Sequence, residues 1–120
     1  AVVAAEARGF LLGAPLAVKL GIPFIPVRKK GKLPRATVKA TYELENGTDE
    51  LHMHVGAVSR GQKVLIVDDV LATGGTARAM ADMVKSAGGE VAGLAFLIEL
   101  GFLNGREKLS GQDVLSLVTY

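Results

Sequence analysis

The sequence predicts one α/β domain, a mostly parallel twisted sheet flanked by helices with an antiparallel hairpin attached. Three observations carry this. Short strand-like apolar runs alternate along the chain with a segment of helical periodicity. "VLIV" at 64 to 67 is apolar without a break, as a strand covered on both faces must be. "ATYELENGTDELHMHV" at 40 to 55 alternates apolar and polar residues on either side of Asn46-Gly47, a turn pair.

The elements follow in order. "AVVA" at the start reads as a strand, and a helix is expected from about Phe10 to Lys19, with Gly21 at its C-terminal cap and Pro15 as an irregularity. "PFIPV" at 23 to 27 reads as a second strand. The basic stretch that follows is broken by Gly31 and Pro34 and is too polar to pack. After the hairpin, Arg60-Gly61-Gln62 leads into a strand at 63 to 67. Ala77, Met80, Ala81 and Val84 then fall on one helix face, which Gly88-Gly89 ends. "VAGLAFLIEL" at 91 to 100 and "DVLSLVTY" at 113 to 120 supply two more strands. No linker divides the chain, so residues 1–120 are expected to form a single domain.

Composition narrows the function classes. Of 120 residues, 49% are apolar, which suits one packed core, and 22% are charged, which argues against disorder. No apolar run reaches the roughly 18 residues of a membrane span, and the start lacks a signal-peptide pattern. The chain has no cysteine, which excludes disulfides and thiolate metal sites. A cytoplasmic protein fits this composition. Six of the 14 Lys and Arg residues lie in "RKKGKLPRATVK" at 28 to 39. The aromatics of a single-stranded nucleic-acid platform are missing there, so the plain reading is a solvated basic loop.

The chemistry sits at "VLIVDDVLATGGT", 64 to 76. In an open parallel sheet, ligands bind beyond the carboxyl ends of the strands. A Gly-rich loop lets backbone N–H groups converge on an anion, and the helix starting near Thr76 adds its positive end, with Thr73 and Thr76 as hydroxyl donors. A phosphate suits this loop. Asp68-Asp69 would repel that phosphate, so the pair must meet something neutral or cationic: ribose hydroxyls, or a magnesium ion with its waters. A helix N-terminus with acidic caps is the alternative for such a motif alone.

This segment resembles the phosphoribosyl pyrophosphate signature of the type I phosphoribosyltransferases. "EARGF" at 6 to 10, "VRKKGKLP" at 27 to 34, "TYELENG" at 41 to 47 and "GREKL" at 105 to 109 match the adenine phosphoribosyltransferases in order and spacing. The resemblance covers essentially the whole chain. It implies an enzyme joining adenine N9 to C1 of phosphoribosyl pyrophosphate, giving AMP and pyrophosphate in purine salvage, with Mg2+ and a homodimeric assembly.

By the same resemblance, Ala72, Thr73, Gly74, Gly75 and Thr76 cradle the 5-phosphate, and Asp68 and Asp69 hold the ribose hydroxyls and, through water, magnesium. Glu6, Ala7 and Arg8 belong to the pyrophosphate loop, where a cis Glu6–Ala7 peptide is implied. Residues 28 to 55 include a flexible active-site loop from which Arg28, Lys29 and Lys32 reach the pyrophosphate, with Lys30 and Arg35 adding field. Glu45 is the catalytic acid or base, where the plain reading is an exposed turn residue, and Leu100 packs on the adenine. His52 and His54 read as strand surface.

The chain departs from the family in two places. Asn46 stands where an aromatic is common. The chain also begins at the first core strand, without the family's preceding hood, so either the sequence is truncated or the base site is incomplete and purines are poorly discriminated. A transferase for xanthine or guanine and a non-catalytic sensor of phosphoribosyl pyrophosphate are the rival readings; no DNA-binding segment supports the sensor.

If Glu45 moves the proton, Glu45→Gln lowers kcat by about 10²–10⁴-fold with much less change in KM. Steady-state kinetics with both substrates varied measures this. An unchanged kcat returns Glu45 to the exposed turn.

Overall fold

The computed structural model describes residues 1–44 and 47–120. Seven strands form one sheet in the order β3-β4-β2-β1-β5-β6-β7. The strands are β1 (Val2–Ala5), β2 (Phe24–Lys29), β3 (Thr37–Leu44), β4 (Gly47–His54), β5 (Lys63–Leu71), β6 (Glu90–Glu99) and β7 (Val114–Thr119). From β2 to β7 every neighbouring pair is parallel, whereas β3 and β4 are antiparallel to each other and β4 is antiparallel to β2. The expected fold class, a mostly parallel α/β sheet with an attached hairpin, is the one observed.

Two helices cover opposite faces. Helix α1 (Arg8–Leu20) packs over β1 and β5, where Val2, Ala17 and Val67 form a small buried cluster with Leu12, Leu16 and Phe24 at its margin. Helix α2 (Gly75–Ser86) lies over the larger core, in which Met80, Met83 and Val84 meet Val3, Val27, Leu51, Met53 and Ile66. The strand between these layers, β1, is buried at all four residues. Its unbroken apolar sequence is what a strand with helices on both faces needs.

Helix α1 begins two residues before the expected Phe10 and runs through Pro15. The missing N–H of Pro15 would have bonded the carbonyl of Leu11, and both residues lie on the exposed side. Gly21, at φ 68°, ends the helix in the left-handed conformation and donates its N–H back to the last turn, as its position implies. The Phe10 and Phe24 rings meet edge to face, 5.6 Å between centroids.

The span 28–55, expected to contain a flexible loop, is strand over most of its length. Arg28 and Lys29 extend β2 and pair with His52 and Leu51, and β3 begins already at Thr37. The reason is that the hairpin does not stand apart: β4 adds directly to the edge of β2, so the basic residues at 28 and 29 find backbone partners. Residues 30 to 36 are the part of the basic stretch outside regular structure. Glu45 and Asn46, on which the expected acid/base and turn fall, lie outside the described residues. Two short 3₁₀ segments, Gly101–Leu103 and Gly105–Leu109, join β6 to β7 and had no counterpart in the sequence reading.

Close approach of α1 to the sheet depends on Gly13. A Cβ there would stand 2.8 Å from the Ala4 Cβ and 3.1 Å from the Phe24 ring. Gly13→Ala is therefore expected to destabilise the fold by about 1–3 kcal/mol, as overpacking does, measured by urea unfolding. Unchanged stability would mean that α1 can lift off its seat without cost.

Candidate active site

The ladder between β1 and β5 ends at Ala4–Val67, but the ladder between β5 and β6 continues to Leu71–Glu99. Asp68 to Leu71 therefore belong to the strand rather than following it, a correction to the expected end at Val67. The physical reason is the partner on one side only: β6 satisfies these backbone groups while β1 has already turned away. The free edge opposite β6 faces the loop that leaves β1, Glu6 to Arg8.

Two adjoining clefts occupy this place. One, of about 250 Å³, is lined by residues 68–77 and Arg8. The other, of about 160 Å³, is lined by residues 5–9 with Lys29, Tyr42, Leu51, Asp68, Asp69 and Thr76. Arg8, Asp68, Asp69 and Thr76 line both, so the two clefts form one continuous site.

At one end, Ala72 to Gly74 turn the chain from β5 into α2. Gly74 is the N-cap residue at φ 89°, which favours glycine, and no side chain caps the helix. The first turn of α2 also carries no acidic residue. Its N–H groups are thus left to an external acceptor, and the dipole favours an anion there. Acidic capping, the plain alternative for Asp68-Asp69, does not occur in this helix.

In the middle stand the two carboxylates. The Asp69 N–H donates to Asp68 Oδ1 at 2.9 Å, and Arg8 Nε lies 2.8 Å from Asp69 Oδ2. Gly9 leaves room for Asp68, since a Cβ there would be 3.1 Å from Oδ1. Burial, followed by the neighbouring Asp69 carboxylate, pushes the Asp68 carboxyl up to about 7, against the downward pull of Arg8. Among the described residues no group of three or more His, Cys, Asp or Glu is placed to hold a metal. The pair offers hard oxygen donors and, among the described residues, has Arg8 as its ion-pair partner, which suits a magnesium ion bound mostly by water and substrate.

At the other end, the Glu6–Ala7 peptide is cis, as expected. The Glu6 side chain is already engaged: the Lys29 N–H donates to it at 2.6 Å and Arg28 Nη2 at 3.2 Å. Burial raises its carboxyl, but these donors outweigh that and hold it below its ordinary value. Glu6 thus ties the loop to β2, and the Arg8 side chain, paired through Nε with Asp69, stays largely exposed.

Of the other expected residues, Lys29 reaches the cleft, where its ammonium meets Asp49 and donates to the Tyr42 hydroxyl at 2.6 Å. Arg28 turns to Glu6 and to the Lys32 carbonyl, Lys32 is exposed, and Leu100 lines neither cleft. His52 lies on the hairpin between Thr37 Oγ1 at 2.7 Å and Glu50 at 2.9 Å. Tyr42, Leu51 and Gly105 were not singled out from the sequence. Tyr42 and Leu51 line the cleft, and Gly105 packs against the 72–74 turn. Tyr42 and Leu51 both fall on apolar positions of the alternating segment 40 to 55, but nothing local says that this face reaches the site.

Residues 1–114 match the family model described as the phosphoribosyl transferase domain. A curated relative from Thermotoga neapolitana, named adenine phosphoribosyltransferase, is 62% identical over 119 residues, covering 99% of this chain and 70% of that protein. The crystal structure of adenine phosphoribosyltransferase from Thermoanaerobacter pseudethanolicus superposes with a TM-score of 0.97 at 58% identity, covering 99% of this chain and 69% of that one. The Saccharomyces cerevisiae enzyme of the same name, complexed with D-2,5-dideoxy-2,5-imino-altritol 1,6-bisphosphate and adenine, superposes at 0.93 with 46% identity, covering 97% and 65%.

The raised Asp68 carboxyl has a signed consequence. Between its ordinary 3.8 and about 7 the folded state binds more protons than the unfolded state, so this group lowers stability as pH rises through that window. Glu6, Asp49, Glu50 and Glu99 are shifted down and act in the opposite direction, on leaving the acid range. Asp68→Asn removes the penalty. Its unligated Tm should exceed that of the unaltered chain by about 4 °C or more near pH 8 and by much less near pH 5. A Tm difference independent of pH would contradict the assignment.

Proposed function

The chain belongs to the phosphoribosyl transferase family, and within it to the adenine phosphoribosyltransferases; on that premise we propose that it makes AMP and pyrophosphate from adenine and phosphoribosyl pyrophosphate. The observation that carries this reading is the continuous site. A helix N-terminus without caps, a carboxylate pair and a tight loop with an exposed arginine follow one another along it. A substrate with a phosphate, then ribose hydroxyls, then a pyrophosphate presents the complementary groups in that order.

In this reading Ala72 to Thr76 hold the 5-phosphate through backbone N–H groups and the two threonine hydroxyls. Asp68 and Asp69 accept from the ribose hydroxyls and orient the sugar. Ala7 and Arg8 receive the pyrophosphate, which leaves with the electron pair of its bond to C1 as adenine N9 bonds to that carbon. Arg28, Lys29 and Lys32 add positive charge once Lys29 leaves Asp49. Glu45 holds or moves the purine proton, and Leu100 packs near the base. Magnesium, held by Asp68 and Asp69 through water, would supply charge neutralisation to the leaving pyrophosphate. A homodimer working in the cytoplasm in purine salvage completes the reading; no helix among the described residues is long and apolar enough to cross a membrane.

The test is AMP formation from adenine and phosphoribosyl pyrophosphate with magnesium, using guanine, xanthine and hypoxanthine as competing bases. Adenine turnover abolished by a chelator is expected, with KM for phosphoribosyl pyrophosphate rising with salt, because the basic groups at that end are exposed. Preferential turnover of another base would move the protein to a different purine. Tight binding of phosphoribosyl pyrophosphate without turnover of any base would make it a sensor.

A further inference from the structure

Glu99 is the buried charged residue among those described, at 6% exposure, and no step proposed above uses it. Arg106 Nε lies 2.9 Å from each of its oxygens, Ser116 Oγ donates to it at 2.8 Å, and Arg106 Nη1 donates to the Val114 carbonyl at 3.2 Å. Stability alone is a weak reason for such a pair, because the Arg106 side chain is half exposed and ion pairs open to solvent contribute little. What the pair joins is more informative. Glu99 ends β6 opposite Leu71, and the Leu100 N–H donates to the Leu71 carbonyl at 2.9 Å. Arg106 directly follows Gly105.

Gly105 lies under the turn that enters α2. A Cβ on Gly105 would stand 2.5 Å from the Ala72 carbonyl oxygen, and a Cβ on Gly74 would stand 2.5 Å from the Gly105 carbonyl oxygen. The two backbones therefore rest on each other with no side chain between them. Asn104, the non-glycine residue with positive φ (54°) among those described, turns the chain so that Gly105 reaches this position. At the far end of the segment, Arg78 of α2 donates to the Lys108 carbonyl at 3.3 Å. Any shift of Gly105 passes directly to Ala72–Gly74, which line the cleft.

We propose that Arg106, anchored by Glu99 and Ser116, is a positioning residue that holds Gly105 beneath the 72–76 loop and so sets how tightly the 5-phosphate end of the substrate is bound. The inference rests on the reading of that loop as the phosphate cradle. None of the three side chains lines either cleft. Packed backbones at such distances do not deform smoothly, so releasing the anchor misplaces the donors rather than softening them.

The experiment compares ribose 5-phosphate binding by calorimetry and full kinetics for the unaltered chain, Arg106→Gln, Arg106→Lys and Ser116→Ala. Arg106→Gln should weaken ribose 5-phosphate and raise KM for phosphoribosyl pyrophosphate by about tenfold, while kcat and KM for adenine change less than about twofold. Arg106→Lys, which keeps the charge without the forked geometry, should fall between. If Arg106→Gln does not fold, Ser116→Ala decides, with an expected loss of about two- to threefold confined to the same ligands. Unaltered affinity in a folded Arg106→Gln or, failing that, in Ser116→Ala would overturn the clamp alone. Failure of the unaltered chain to bind ribose 5-phosphate would overturn the phosphate-loop reading and the clamp with it.

Discussion

β1 and β5 are unequal in length, and the site depends on that inequality. Because β1 turns away after Ala5 while β5 stays paired to β6 as far as Leu71, four residues of β5 have one satisfied edge and one open edge. The carboxylates sit on this overhang, the loop from β1 faces it, and the turn into α2 caps its end. Were β1 longer, its ladder would occupy the edge where Arg8 and the Glu6–Ala7 peptide now stand.

Charge in the site is distributed so that each excess has a neighbour suited to answer it. The Asp68–Asp69 repulsion is only partly relieved by Arg8, which leaves room for a cation or for hydroxyl donors. Glu6 is neutralised by β2 donors and serves as a tie rather than as a free carboxylate. Lys29 is stored against Asp49 and Tyr42 at the cleft wall. The uncapped start of α2 supplies positive potential without any side-chain charge, so an end that favours an anion and an acidic centre can lie close together.

Small residues make these distances possible. Gly9 gives Asp68 its space, Gly13 seats α1 on Ala4, and Gly74 and Gly105 let two backbones meet under the turn into α2. Only Gly74 of these four needs a positive φ. The other three are required by proximity, a reason for glycine that is invisible until the partner backbone is known.

Local pattern determined a good deal by itself. The unbroken apolar runs of β1 and β5, the 3.6-residue face of α2 and the glycine after α1 each follow from interactions within a few residues, and so did the Asp-Asp and Thr-Gly-Gly-Thr motif. The parallel sheet with its hairpin was legible for the same reason. Tertiary structure alone decided the rest. Pairing with β4 drew Arg28 and Lys29 out of a loop and into β2, and pairing with β6 carried β5 past Val67. The fold also chose Asp69 as the partner of Arg8, brought Tyr42 to the cleft wall and set Arg106 on Glu99. Each of these depends on which distant strand arrives alongside, and the free energy of such a contact is carried by residues far apart in the chain, where no local periodicity records it.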